Sequence, residues 1–263
     1  MTTPTPAPSI LPLKFDAVSF EAGGNRLIKD VTFRFDPGLR TVIIGPNGAG
    51  KSLLLRLCHG LIKPSHGEVH WQFESDAARH QAMVFQRPVM LRRSVAANID
   101  YALKLRHVPR LERTETIDRV LQATGLKRLA DQPARVLSIG EQQKLALARA
   151  WALKPQVLFL DEPTASLDPA ATHGVEEIIG AIHEQGARII MTTHDLGQAR
   201  RMADEVMFIN RGRILEAAPA KQFFEKPEND LAQAFVRGEL LWWKKGQDNP
   251  KHQLNHQAGD TTE

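Results

Sequence analysis

Residues 15–20 and 31–35 alternate apolar and polar side chains on either side of Gly23-Gly24-Asn25, the period of half-buried strands, and predict an antiparallel pair. A short apolar run follows at 41–44, and 67–73 and 81–85 read as further strands. From Pro88 the period changes. Val95, Ile99, Ala102 and Leu103 fall on one helical face, as do Ile117, Val120 and Leu121 ahead of a stop at Gly125, and 138–153 is an Ala-, Leu- and Gln-rich helix. Residues 88–152 are therefore expected to form a helical lobe inserted into an α/β domain. The continuous apolar run 157–160 has the texture of a strand covered on both faces of a parallel sheet. Asp168-Pro169 starts a helix, with Asp as N-cap and Pro at the first position, and Val175, Ile178, Ile179 and Ile182 supply its buried face. A strand over 188–192, a helix over 196–203 and a hairpin pairing 205–210 with 213–216 complete the pattern. Residues 1–13 are Pro- and Thr-rich and read as a disordered lead, and 244–263 as a polar tail. That leaves 14–243 as the folded domain.

Composition narrows the function without naming it. At 263 residues the chain can bury a full core, and 42% apolar with 24% charged is ordinary for a globular protein. The net charge of +4 comes without a Lys/Arg block or interleaved aromatics, so no nucleic-acid partner is expected. The single cysteine, Cys58, lies in the helical apolar pattern of Leu54, Leu57 and Leu61 and reads as core, which leaves no disulfide framework. No run approaches 18 apolar residues and the start does not resemble a secretory leader. A cytoplasmic protein that meets a membrane only through partners is the expectation.

The candidate chemistry begins where the run 41–44 ends. Gly45, Pro46, Asn47, Gly48, Ala49, Gly50, Lys51 and Ser52 fit G-x-x-x-x-G-K-[ST] between a strand and the helical stretch that Leu53 continues. Glycines there let successive backbone N–H groups converge on phosphate oxygens, and the following helix points its positive end at the same anion. Lys51 would reach the β and γ phosphates of a nucleotide and Ser52 would complete the coordination of Mg²⁺.

Asp161 and Glu162 sit at the C-terminal end of the strand at 157–160, the edge where open α/β sheets bind ligands. Asp161 is suited to holding the Mg²⁺, directly or through water, and Glu162 to orienting or deprotonating an attacking water. His194 ends the next strand and can donate to a γ-phosphate, and Gln86, where the helical lobe begins, can touch both metal and water. Ser138 caps another helix whose first turn, including Gly140 and Glu141, forms a second anion-facing end. That end belongs to a different lobe from the phosphate loop, an arrangement that two chains facing head to tail would satisfy.

In order and spacing the phosphate loop, Gln86, residues 138–142, Asp161-Glu162, Ser166-Leu167-Asp168 and His194 resemble the ATPase subunits of ABC transporters, over about residues 13–243. The resemblance implies a P-loop NTPase fold of the ABC ATPase type, α/β with an antiparallel β lobe and an inserted helical lobe. It also implies a homodimer sandwiching two ATP molecules, each between the phosphate loop of one subunit and the 138–142 helix of the other, with Asp168 beside it. Permease subunits and an extracytoplasmic solute-binding protein would complete the system, with this chain peripheral on the cytoplasmic side of the inner membrane. Two positions depart from the family pattern: Ile139 replaces the first glycine of Leu-Ser-Gly-Gly-Gln, and Ala22 stands where an aromatic usually stacks on adenine. Phe15 and Phe20 are the nearby rings that could substitute. Residues 83–88, 89–99, 194–206 and 235–242 resemble tungstate-importer ATPases in particular, and Val89, Met90 and Leu91 offer an apolar face for a permease helix. A soluble ABC ATPase acting on nucleic acid would bring long heptad insertions or a second cassette, and a small-molecule kinase would leave 138–142 unexplained.

Overall fold

The computed structural model describes residues 9–239, the side chains of 74–76 excepted. The lead up to residue 8 and the tail, Trp242 and Trp243 included, lie outside the described residues. Residues 9–13 correct the expected lead. Ile10, Leu11 and Leu13 are buried against the first strand's own core, because apolar side chains next to a sheet edge gain more by packing than the chain loses in entropy.

Strands β1 (Leu13–Ala22), β2 (Asn25–Phe35) and β4 (His66–Trp71) make an antiparallel sheet in the order β2-β1-β4. The larger sheet among the described residues combines β3 (Arg40–Ile44), β5 (Gln81–Val84), β6 (Val157–Asp161), β7 (Arg188–Thr192), β8 (Glu205–Asn210) and β9 (Arg213–Pro219) in the order β5-β6-β7-β3-β8-β9. All its pairs are parallel except the closing β8–β9 hairpin.

Strand side chains alternate, and here the alternation divides two cores. Val42, Ile44, Leu158, Leu160, Ile189, Met191 and Phe208 face one cluster; Ile43, Val157, Phe159, Ile190, Met207 and Ile209 face the other. The second face is covered by helix α1 (Lys51–His59), through Leu54, Leu57 and Cys58, and by the small sheet, through Phe15, Val18, Ile28 and Phe35. Burial pushes the Cys58 thiol pKa up, as expected of a core residue. The first face is covered by α5 (Ile139–Ala152), α6 (Pro169–Glu184) and α7 (Leu196–Met202), and the rest of the helical stretch, α3 (Val95–Leu105) and α4 (Arg110–Ala123), packs on α5. Each fully buried Leu, Ile or Phe contributes roughly 1.5–3 kcal/mol, so covering both faces dominates the fold's stability.

Three helices were not foreseen. The short α2 (Glu74–His80) has no apolar periodicity and buries Ala77. The terminal α8 (Ala220–Glu225) and α9 (Asp230–Val236) pack Phe223 and Phe235 onto Phe208, at ring-centroid distances of 6.4 and 5.3 Å. Each is too short for a helical period to stand out in sequence.

Candidate active site

Strand order assembles the site. β7 lies between β3 and β6 and pairs with both, so the segments leaving these three strands emerge side by side at the C-terminal edge of the sheet. The phosphate loop leaves β3, the paired carboxylates end β6, and Thr192 to His194 end β7.

The loop needs its glycines for identifiable reasons. Gly45 has φ of 154°, and a Cβ there would fall 2.0 Å from the carbonyl oxygen of Ile209 on the neighbouring strand. Gly50 enters α1 with φ of 106°, a left-handed conformation that favours glycine, and a Cβ there would strike Ile28. Lys51 is nine-tenths buried and folds back, Nζ donating to the carbonyls of Gly45 at 3.0 Å and Pro46 at 3.3 Å. Burial lowers its pKa, against the opposing pull of Glu162 and Asp161.

Ser52 Oγ donates to Asp161 Oδ1 at 2.7 Å, and Thr192 Oγ1 donates to the same oxygen at 2.9 Å. The next residue, Glu162, leaves the strand with φ of 46°, a strained conformation for a side-chain-bearing residue. Its N–H donates to Thr192 Oγ1 at 3.0 Å and lies 3.2 Å from the Thr192 carbonyl. That turn breaks the strand's alternation and sets the carboxylate between an ammonium and an imidazole: Lys51 Nζ is 3.7 Å from Oε1, and His194 Nδ1 donates to Oε2 at 3.1 Å. Backbone strain of this kind, held by flanking hydrogen bonds, is how a strand end presents one side chain out of register.

Gln86 lies exposed just beyond β5, and Asp168 accepts from the Ala171 N–H at 2.9 Å as the cap of α6. Ser138, Gly140 and Glu141 open α5, where a Cβ on Gly140 would come within 3.0 Å of Ala171 on the first turn of α6. The two helix starts are therefore neighbours, and Ser138 is exposed. Ser138 and Glu141 close a full capping box: Glu141 Oε2 accepts from the Ser138 N–H and hydroxyl, and the Glu141 N–H donates to Ser138 Oγ.

Of the two candidate rings near Ala22, Phe15 is 3% exposed and packed in the core, so it cannot stack on a ligand; Phe20 is half-buried and Ala22 exposed. Met90 is likewise core, 7% exposed among the helices, whereas Val89 is 71% exposed. The apolar face expected at 89–91 thus rests on Val89 and the half-buried Leu91. Thr192 is the functional position that sequence reasoning passed over, because a threonine at a strand end looks like ordinary β-branched packing. Its signal was adjacency: it precedes Thr193-His194 on the strand next to the acids.

The steric requirement at Gly45, the loop that leads into α1 and the ammonium of Lys51 fit a nucleotide's phosphates, and the hydroxyl–carboxylate pair of Ser52 and Asp161 fits the divalent cation that accompanies them. The family model for the ABC transporter domain matches residues 28–165, more than half of the chain. The chain belongs to the ABC transporter ATPase family. The tungstate uptake system ATP-binding protein TupC of Peptoclostridium acidaminophilum is 40% identical over 198 residues, covering 74% of this chain and 92% of its own length. The phosphate import ATP-binding protein PstB 2 of Natronomonas pharaonis is 36% identical over 244 residues, 86% of each chain. Among solved structures, an ATP binding subunit of an ABC transporter superposes with a TM-score of 0.75 at 25% identity, covering 86% of this chain and 99% of its own. The cbiO1 subunit of Clostridium perfringens, part of the ABC transporter complex cbiONQ, gives 0.74 at 28%, with 87% and 95% covered. As an ABC ATPase the chain binds and hydrolyses nucleotide, and no helix among its described residues is long and apolar enough to cross a membrane.

Proposed function

We propose that this ABC ATPase powers the import of an oxyanion, tungstate before others, as a homodimer bound to a permease on the cytoplasmic face of the membrane. The observation that carries the catalytic part is the setting of Glu162. Its carboxylate is turned out of the strand and held between Lys51 and His194, which leaves it placed to take a proton from water beside the phosphate loop. His194 fixes the carboxylate's direction, and Lys51 balances its charge in a poorly hydrated place. Ser52 and Asp161 present hard oxygen atoms, with Gln86 near the lobe boundary, and Mg²⁺ held there would withdraw charge from the phosphate oxygens.

The exposed, adjacent starts of α5 and α6 support the dimer: a second chain's nucleotide phosphates could meet Ser138 and Gly140 without either lobe rearranging within one chain. A groove of about 370 Å³ between β5 and the helices, lined by Met83, Phe85, Val89, Leu91, Tyr101 and Leu105, supports permease docking. Tungstate rests on the relative that is 40% identical over nearly its whole length, and phosphate is the second reading, on the 36% relative. A solute-binding protein outside the membrane would supply the selectivity, since the ATPase chemistry itself never requires contact with the solute.

The test is accumulation of tungstate, molybdate and phosphate by cells with and without the chain, and with Val89→Asp. Deletion and Val89→Asp should both lower tungstate accumulation. If phosphate uptake falls while tungstate uptake is untouched, the cargo assignment is wrong and the ATPase assignment stands.

A further inference from the structure

A second connection runs beneath the Glu162–His194 hydrogen bond. Thr164, two residues after Glu162, donates from Oγ1 to Gln198 Oε1 at 3.1 Å; Gln198, four residues after His194, is fully buried on α7. The amide's other end donates from Nε2 to Glu176 Oε1 at 3.1 Å, and Glu176, 8% exposed on α6, also accepts from Arg201 at 2.8 and 3.0 Å. The chemistry fixes the direction of the chain. Glu176 as a carboxylate only accepts, so Gln198 must turn its NH₂ toward it and its carbonyl toward Thr164. The network therefore joins the loop that carries Glu162, the helix that Asp168 begins and the helix that His194 precedes. The exposed rung between His194 and Glu162 is open to water; the rung through Gln198 is not.

We propose that Gln198 is a positioning residue for ATP hydrolysis: its buried amide sets the separation between the loop bearing Glu162 and the segment bearing His194. It touches no reacting atom. The inference rests on the ATPase reading and adds a residue to it. A carboxamide is required because the position must accept on one side and donate on the other. A carboxylate there would face Glu176 across a buried contact.

The test uses the full chain, steady-state ATP hydrolysis and thermal melting. Gln198→Met, which keeps volume and removes both bonds, should lower kcat about tenfold or more with the KM for ATP within about twofold. Gln198→Glu should be impaired at least as much. Exchanging the pair, Glu176→Gln with Gln198→Glu, restores one amide facing one carboxylate, with Thr164 still donating to position 198, and should return kcat to within about threefold of native. Thr164→Val cuts the same chain from its more accessible end and serves if Gln198→Met does not fold. Folded single variants with native kcat would overturn the proposal, as would KM rising in step with the fall in kcat, or an exchanged pair no better than Gln198→Glu alone. A native chain that hydrolyses no ATP would sink the ATPase reading and this inference together; an active native chain with unaffected variants sinks only the inference.

Discussion

Lys51 and Glu162 stand 3.7 Å apart, one from the phosphate loop and the other from the end of β6, and each limits what the other can do. Burial lowers the pKa of the ammonium, the carboxylates of Glu162 and Asp161 oppose that shift, and its two carbonyl contacts hold it over the loop. Removing either partner should therefore give different defects. Lys51→Ala is expected to weaken nucleotide binding. Glu162→Gln should still bind ATP but lower hydrolysis about 10²–10⁴-fold, the usual worth of a positioned base, and should accumulate an ATP-bound dimer. Size-exclusion chromatography with ATP and Mg²⁺, alongside turnover, checks both; a monomeric Glu162→Gln protein that hydrolyses ATP would remove Glu162 from the role assigned to it.

Thr192 gives a finer test of the same corner. Its hydroxyl donates to Asp161 Oδ1 and accepts from the Glu162 N–H, so one oxygen stabilises both the carboxylate and the strained turn after it. Thr192→Val keeps the shape and β-branching of a buried strand residue while deleting those bonds. The Glu162 N–H keeps its bond to the Thr192 carbonyl, so the loss is that of the two side-chain hydrogen bonds, about 1–3 kcal/mol together. The expected outcome is a stability loss of that size with kcat lowered at least about tenfold. Native kcat in the folded variant would mean that the Thr192 hydroxyl is not needed to hold Glu162 in place.

Much of this arrangement was legible in the sequence, and the exceptions have physical reasons. The phosphate loop, the cap of α6 at Asp168-Pro169 and its face of Val175, Ile178, Ile179 and Ile182 could be read directly, because backbone geometry or helical period dictates those residue types. The burial of Ile10 and Leu11 could not be, since the groups that hold this segment, Gln72 just after β4, Gln156 before β6 and the core around them, lie far along the chain. Met90 and Val89 are chemically alike and adjacent, yet one is core and the other exposed; only the packing of the lobe distinguishes them. Gln198 was invisible for a similar reason: a glutamine in a short helix gains meaning only from Thr164 and Glu176, which arrive from other segments.

Arg40 and Asp204 connect the start of β3 to the turn before β8, and their pairing should make part of the stability depend on pH. Asp204 accepts from the Arg40 backbone N–H at 2.8 Å and from the guanidinium at 3.0 and 2.7 Å. The guanidinium hydrogen bonds hold its carboxyl below the usual carboxylate range, against the effect of burial. A depressed folded pKa means that the stabilisation is complete above the unfolded value, near 3.9, and is lost as pH falls through the folded value. The pair is partly exposed, so Asp204→Asn is expected to cost only about 1–2 kcal/mol near neutrality. Urea unfolding from pH 7 down to about 3 should show the gap between native and variant constant above pH 5 and closing below 4. A gap that widens on acidification would contradict the sign.

Ala22 ends β1 beside the Gly23-Gly24 turn with an exposed methyl, and the core position of Phe15 leaves Phe20 as the nearby ring with any freedom. Ala22→Tyr should tighten ATP binding by up to about 1–3 kcal/mol, the worth of stacking one base. Titration calorimetry checks it. An unchanged affinity would indicate that Phe20 or a residue from elsewhere already covers the base.

Ile139 occupies the first turn of α5 at 63% exposure, following a cap residue in extended conformation, so the helix begins regularly with a β-branched residue where the family usually has glycine. Its side chain makes no demand on the helix, and Ile139→Gly is expected to leave turnover within about tenfold, a barrier change near 1.4 kcal/mol. Glu141 is the stronger lever. Its N–H and carboxylate are committed to Ser138, and the Ser138 hydroxyl that would meet an anion now donates to Glu141 Oε2. That bond, with the Ser138 backbone N–H, keeps the Glu141 carboxyl ionised to lower pH than usual, so a negative charge stands where a partner's phosphate would arrive. Glu141→Gln preserves the capping geometry, removes the charge and frees the hydroxyl more easily, and should strengthen ATP-driven dimerisation. Sedimentation of the Glu162→Gln and Glu162→Gln/Glu141→Gln proteins with ATP measures the difference without turnover intervening. A weaker dimer in the double variant would mean that the carboxylate contributes a contact across the interface, and that the capping box is the bound form of this helix end.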